Sequence, residues 1–564
     1  MKTTIKEIFL EEGYSIPNYQ RDYAWKDKNF RDLWEDLEEA IGYNKKGYKH
    51  FIGTMVVAKN KDNKKLYDII DGQQRTTTIF MLLHVLANEQ NEKDKQETRK
   101  YLYQKGELKL EVASQNQSFF KTLLEAAEKG SISHCEKDAD TEGKQNLFEV
   151  LKAILDKVSK LSEEGVNERL EALLKMVLMR LEEPDPGRAI RTFQSVNDRG
   201  VPLLLLDKLK SLLIYYSNTF CDGKRGLDQF INDHFGEIFK IFAKIKKSDH
   251  ISSVGGFDKG DIFRYHAGSQ RFDGIEFLGH YEARMDKTYE KLKDELKEIK
   301  KSKLKSFIQS YVSDLKNFYQ AFLDLLSEID TNPTTFKVML INKIDSSFFN
   351  SLIRLKINNE LDDETLKLFA KTDIVLFKAT RDRPGTDNLI NAYLKKGKEG
   401  LKSEMIAQCR NDIGLAFWQS VNNASNSSCF HYIFFEKNCQ EMGLADLKKL
   451  IPRKQFSQEK EHIIPINLLK QESNNKIRDL GFEDKKDLED YIDTYGNLIS
   501  LEKPLNLKAS DKDLYEKDEI YKSSEIPFNR RFNVKGFNKK VLIARNDEMR
   551  EWLINTFFKD FATH

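Results

Sequence analysis

The strongest constraint on this chain is a helical periodicity that runs from about residue 90 to about residue 450. Segments such as LFEVLKAILDKV (147–158) and SFIQSYVSDLKNFYQAFLDLL (306–326) repeat apolar residues at i, i+3 and i+4, one face of an α-helix. So long a run of this spacing makes the middle of the chain a helical body. At the N-terminal end FIGTMVVA (51–58), a polar turn, LYDIIDG (66–72) and TTTIFMLLHVLA (76–87) predict two strands followed by a helix, a small α/β unit. The last stretch changes character again, with HIIPIN, YGNLISLEKPLNLKASD and the basic NRRFNVKGFNKK. The expected fold class is α+β, mostly helical. Its units are 1–220, 221–420 and 421–564, with breaks at EEPDPG (182–187), around Gly255 and at NNASNSS (422–428). The charge-dense KTYEKLKDELKEIKKSKLKS (287–306) reads as a long solvated helix face.

Composition removes several classes. A hydrophobic share of 40% with only 10 prolines supports packed cores. Lys+Arg 92 against Asp+Glu 90 leaves +2, so any polyanion must be met by a local patch. No run approaches the roughly 18 to 20 apolar residues of a membrane span, and Lys6, Glu7, Glu11 and Glu12 occupy the place of a signal peptide's apolar core. The five cysteines lack a C-x-x-C pair, which disfavours a disulfide framework and structural zinc. These features point to a protein of the reducing cytoplasm with no membrane partner.

The chemistry concentrates near the C-terminus. Glu461 and His462 in EHIIP are followed by Asn497 in GNLISL and, nine positions on, Asn506 in PLNLKAS. One imidazole that can take a proton near neutral pH, with carboxylate and amide oxygens for a hard cation, is a kit for hydrolysing a phosphodiester. Glu461 and Asn506 would hold Mg²⁺ or Mn²⁺. Neighbours on a strand point to opposite faces, so both Glu461 and His462 reach one ion only across a twist or bulge. Taken alone, His462 reads as a strand-end histidine beside a turn proline.

The whole pattern, E-H-I-x-P, G-N-L-x-x-L and N-x-K-x-S, resembles the HNH nuclease module in the DUF1524 form of GmrSD-type restriction enzymes. The resemblance implies a ββα-metal module. In it His462 is the general base, Glu461 and Asn506 are metal ligands, Asn497 orients the histidine's loop, and Lys508 contacts phosphate. Beyond it, Arg530, Arg531, Lys535, Lys539 and Lys540, with Phe532 and Phe537 interleaved, form a strip suited to nucleic-acid phosphates, the rings packing or stacking.

Near the N-terminus stand IPNYQRDYAW (16–25), FIG (51–53) and DGQQRTT (71–77). A strand ending in Asp-Gly and running into a helix that Thr76 or Thr77 caps would leave backbone N–H groups open to an anion, with Arg75, Gln73, Gln74 and Arg21 beside it. No P-loop or Rossmann glycine signature occurs. With FQSVNDRG (193–200) and LDKLKS (206–211), these motifs resemble the DUF262 domain. That domain has a ParB/sulfiredoxin-like core and is the GmrS half of the same systems. The resemblance implies nucleoside triphosphate binding and hydrolysis by Asp71, Gly72, Gln73, Gln74 and Arg75, with Gln20, Arg21, Asn197 and Arg199.

The combined expectation is an NTP-linked, modification-dependent, type IV-like endonuclease of bacterial anti-phage defence. Its partner is double-stranded DNA carrying sugar-modified cytosines or phosphorothioate linkages. One HNH site cuts one strand, so a double-strand break calls for a homodimer or two nicks. The competing readings are a nucleotide-driven DNA clamp with a degenerate nuclease module and an RNA-directed toxin nuclease. The intact Glu461, His462, Asn497 and Asn506 favour cleavage over the clamp, while the motif does not specify the sugar.

Overall fold

The computed structural model describes residues 2–45, 47, 49–60, 63, 65–183, 205–221, 224–251, 254, 259–269, 271–272, 275–276, 285–378, 387–410, 429–438, 442–450, 458–470 and 474–558. They fall into two compact units, Met1–Lys247 with Met285–Gln320, and Ser248–Arg284 with Ala321–His564. The stretch read as a helical middle, 221–420, is divided between them. The expected breaks near Gly255 and at 422–428 lie outside the described residues, as does most of 182–187.

The first unit is organised by a mixed six-stranded sheet. Its strands are β1 (Lys2–Thr4), β2 (Gly13–Ser15), β3 (Phe51–Lys59), β4 (Leu66–Asp71), β5 (Leu110–Glu111) and β6 (Val177–Glu182), in the order β1-β6-β3-β4-β2-β5. The two β-rich runs of the sequence are β3 and β4, paired antiparallel with a register shift between Val56 and Val57. β5 and β6 extend the sheet with residues from inside the helical stretch. β6 is not separable by periodicity, because VLM follows the helix Glu163–Lys175 after a single residue and its partners β1 and β3 are distant in sequence.

Helix Gln73–Asn88 leaves β4 directly and is buried on nearly every face, from Thr76 through Ala87. Such a helix belongs in a core, and helices Glu92–Leu102, Glu142–Val158 and Glu163–Lys175 pack around it. The charge-dense segment forms two helices, Met285–Glu298 and Lys301–Glu328. Leu292, Leu296 and Leu304 are buried along them, so the solvated face has an apolar reverse side.

The described residues of the second unit are helical apart from two short antiparallel strand pairs. One of these pairs β7 (Gln458–His462) antiparallel with β8 (Leu498–Glu502), and helix Lys503–Ala509 leaves β8 and packs back on both strands. A mostly helical α+β fold is therefore present, as the periodicity required. No described helix is long and apolar enough to cross a membrane. Cys135, Cys221, Cys409 and Cys429 are buried, none of them in a disulfide, and Cys439 lies outside the described residues.

Candidate functional site

The β7–β8 ladder is continuous from Gln458↔Glu502 to His462↔Leu498. The bulge that would bring Glu461 and His462 to one face is absent from it, so the pleat sends them to opposite sides. Glu461 turns inward and is 4% exposed. Its carboxylate pairs with the fully buried Lys517 at 2.7 Å and accepts from the Tyr521 hydroxyl at 3.0 Å. Burial pushes the Glu461 carboxyl above its ordinary range and pulls the Lys517 ammonium below its own, each opposed by the partner's charge. The cation that Glu461 faces is thus an ammonium, on the side of the strand away from His462. Lys517 also donates to the His462 carbonyl at 2.6 Å, fixing the end of the strand.

His462 points outward. Its Nε2 lies 2.8 Å from Asp493 Oδ1, and the carboxylate is half exposed. A carboxylate acceptor there places the proton on Nε2 and leaves the Nδ1 lone pair as the basic position. Asn497 is fully buried and ties the following loop. Its Oδ1 accepts from the Ile464 amide at 2.8 Å, and its Nδ2 donates to the carbonyls of Ile464 and Ile492. Its backbone carbonyl accepts from Ile463 at 2.8 Å. His431, the other imidazole bonded to this hairpin, contacts Ser500 and is driven down to about 4 by burial, then by Lys460, which keeps it neutral and structural.

Asn506 sits on the helix Lys503–Ala509, with its Oδ1 buried and without a hydrogen-bond partner. An orphaned amide oxygen suits a hard cation, which asks few protein oxygens and fills its shell with water and phosphate. Among the described residues no cluster of three or more His, Cys, Asp or Glu could hold a metal ion, so a cation here would rest on a sparse donor set. Lys508 is exposed.

The basic strip divides. Lys539 is bound to both oxygens of Asp487, and Lys535 stands 3.5 Å from Asp518. Arg530, Arg531, Lys535 and Lys540 are exposed. Of the two rings Phe537 is buried and Phe532 half-buried. Phe532 and Phe537 pack over the Arg545 guanidinium, 4.5 and 5.7 Å from it. Arg545 donates to the Gly496 and Leu498 carbonyls, and burial brings it down to about 10.

In the first unit, β4 ends at Asp71 and the chain turns at Gly72, whose φ of +91° favours glycine. A Cβ there would also lie 3.2 Å from the Thr54 carbonyl. The helix that begins at Gln73 has no side-chain cap. Thr76 and Thr77 instead bond back to the carbonyls of Gly72 and Gln73, which corrects the capping role read from the sequence. Arg75 lies under β3, donating to the Thr54 carbonyl at 3.1 Å. Gly53, at φ +107°, makes room for it, since a Cβ there would meet Arg75 Nη1 at 2.8 Å. Burial lowers the pKa of Arg75 and of Arg21, opposed by Asp71 for both, with Asp36 and Asp207 respectively.

Gln20 and Gln74 brace the entering loop. Gln20 donates to the Ile69 and Ile70 carbonyls, while Gln74 accepts from Ala24 and Trp25 and donates to the Asp22 carbonyl. Arg21, Asp22, Gln73, Gln74 and Asn116 line a cavity of about 20 Å³, room for one water. A nucleotide would therefore meet its rim unless the cavity opens. Asn197 and Arg199 lie outside the described residues.

Sequence reasoning missed Asp493, Lys517, Asp22 and Asn116. Asp493 is one acid among several in DLEDYIDTYGN, and Lys517 lies in the charged LYEKDEIY. Only the fold distinguishes them from surface residues.

Residues 5–214 match the family model of the GmrSD restriction endonuclease N-terminal domain, and residues 407–552 match that of the GmrSD restriction endonuclease C-terminal domain. The two matches together span more than half of the chain. No curated protein matches it.

Two substitutions probe these geometries. Lys517→Met strands a buried carboxylate and is expected to destabilise the protein by about 3–5 kcal/mol in denaturant unfolding, most of it recovered in Glu461→Leu/Lys517→Met. Gly53→Ala is expected to displace Arg75 from the Thr54 carbonyl and to lower the melting temperature as Arg75→Ala does, read by thermal unfolding of both variants.

Proposed function

The chain belongs to the GmrSD restriction endonuclease family and acts on DNA as a restriction endonuclease; from that premise we propose that it is an NTP-linked, modification-dependent endonuclease that cuts phage DNA with an HNH-type site on the β7–β8 hairpin. The observation that carries this reading is the His462–Asp493 pair, 2.8 Å apart on the outward side of a strand end held by Lys517 and Asn497.

Hydrolysis needs a base at the attacking water and a donor of positive charge at the phosphate. His462 Nδ1 takes the proton while Asp493 holds the ring in that tautomer and stabilises the imidazolium that forms. Asn497 keeps the loop that follows the histidine in place. Mg²⁺ or Mn²⁺, with Asn506 as a protein oxygen ligand, would supply charge neutralisation at the scissile phosphate. Glu461 serves as a strut for the strand rather than as a second ligand. Arg530, Arg531, Lys535 and Lys540 hold backbone phosphates, and Lys508 is a further contact.

In the first unit the helix start after Gly72, which no side chain caps and which Asp71, Gln73, Arg75 and Arg21 flank, supports a nucleoside triphosphate site within a ParB/sulfiredoxin-like domain, braced by Gln20 and Gln74. Asn197 and Arg199 remain part of that proposal through their motif. Nucleotide state then governs cutting. Sugar-modified cytosine and phosphorothioate DNA are the targets to compare, in a cytoplasmic setting, with a homodimer as one route to a double-strand break.

The test is cleavage of plain, sugar-modified and phosphorothioate DNA, and of RNA, with Mg²⁺ or Mn²⁺, with and without each NTP. His462→Ala is expected to abolish cutting while NTP hydrolysis continues, and Arg75→Ala to lose hydrolysis. Asp493→Asn is expected to slow cutting by on the order of 10²- to 10⁴-fold with DNA binding retained. A His462→Ala variant that cuts at the wild-type rate removes the nuclease assignment.

A further inference from the structure

Lys460 and His462 are alternate residues of β7, about 7 Å apart along the strand and on the same face of it. Across the ladder Ser500 stands opposite Lys460 and Leu498 opposite His462. Those two partners are buried, whereas Lys460 and His462 are each half-buried and keep part of their surface in solvent.

Two further observations place the Lys460 ammonium. It lies 5.7 Å from the centre of the Phe430 ring, and that ring stacks on Tyr495, two residues beyond Asp493. It is also within electrostatic reach of Asp493, the carboxylate that meets His462 Nε2. Burial holds the ammonium below its ordinary range, opposed by Cys429 and by Asp493. His431, bonded to Ser500, feels the same charge, which helps to keep it neutral. A cation therefore stands beside the imidazole, partly withdrawn from water, where charge interactions are stronger than in open solvent.

Hydrolysis of a phosphodiester builds negative charge on the phosphate oxygens. With Glu461 turned to Lys517, a metal ion at this hairpin would rest on few protein oxygens, and a second positive charge near the base answers that shortage. We propose that Lys460 is a further catalytic residue of the hairpin, its ammonium on a non-bridging oxygen of the scissile phosphate while His462 acts on the attacking water. The water oxygen bonds to phosphorus as the bond to the leaving sugar oxygen breaks. The water's proton passes to His462 Nδ1, the leaving oxygen takes one from solvent, and Lys460 keeps its own. An ammonium has three donors, so this contact does not require Lys460 to give up its interactions within the chain. The inference rests on the nuclease reading and adds a residue to it.

Single-turnover cleavage of DNA with Mn²⁺ compares the full chain with Lys460→Met, Lys460→Arg and His462→Ala. Lys460→Met is expected to slow cutting by on the order of 10²-fold while DNA affinity and melting temperature hold. Lys460→Arg, which keeps the charge, is expected to restore most of the rate. Thymidine 3′,5′-bisphosphate with Mn²⁺ reads the contact without any cutting. Its dissociation constant is expected to rise by on the order of tenfold in Lys460→Met and to stay near the wild-type value in Lys460→Arg. The inference is overturned if Lys460→Met cuts at the wild-type rate or binds the bisphosphate unchanged, or if wild type does not bind it at millimolar concentration. A melting temperature lowered alike in both lysine variants, with the rate unrestored by arginine, makes Lys460 structural and overturns it too. Wild-type cutting by His462→Ala is the separate sign that the nuclease reading itself has failed.

Discussion

One ammonium group sets the geometry of the candidate nuclease site. Lys517, with no exposed side-chain surface, divides its donors between the Glu461 carboxylate and the His462 carbonyl. A charge pair taken wholly out of water is expensive to break by halves, because either survivor is left without solvent or partner. That asymmetry holds the last residue of β7 in one place. With Asn497 gripping the loop beyond it, His462 is left with one way to face, toward Asp493. The strand's alternation then separates structural from chemical duty: the inward residue anchors and the outward one meets solvent.

The first unit solves a similar problem with small residues in place of a buried pair. Gly53 and Gly72 both adopt backbone conformations that favour glycine, and both stand where a Cβ would collide, one with the Arg75 guanidinium and the other with the Thr54 carbonyl. The FIG and DGQQR motifs, far apart in sequence, are thus two halves of one contact. Arg75 can lie along β3 only because the residue above it has no side chain.

How much of this was legible in the sequence follows from what is local. The helical middle was, because the repeat at i, i+3 and i+4 is carried by neighbouring residues. So were β3, β4 and the helix after them, bounded by a polar turn and an Asp-Gly pair. β6 was not, since its membership of the sheet depends on β1 and β3, pairings that no window spans. At the candidate site the sequence reading asked for a twist or bulge to bring Glu461 and His462 to one ion, whereas the ladder is regular and Glu461 faces the buried Lys517. Asp493 and Lys517 are ordinary charged residues in charged surroundings, and only packing gives them their tasks.

The aromatic clasp around Arg545 bears on selectivity. With Phe532 and Phe537 turned onto an internal guanidinium, the neighbouring strip offers solvent its cations and withholds a ring platform for nucleobases. Adhesion of that kind follows backbone charge, fades as ionic strength rises and is blind to the letters of the duplex. A base could stack on those two rings only by first prising them from the guanidinium they cover.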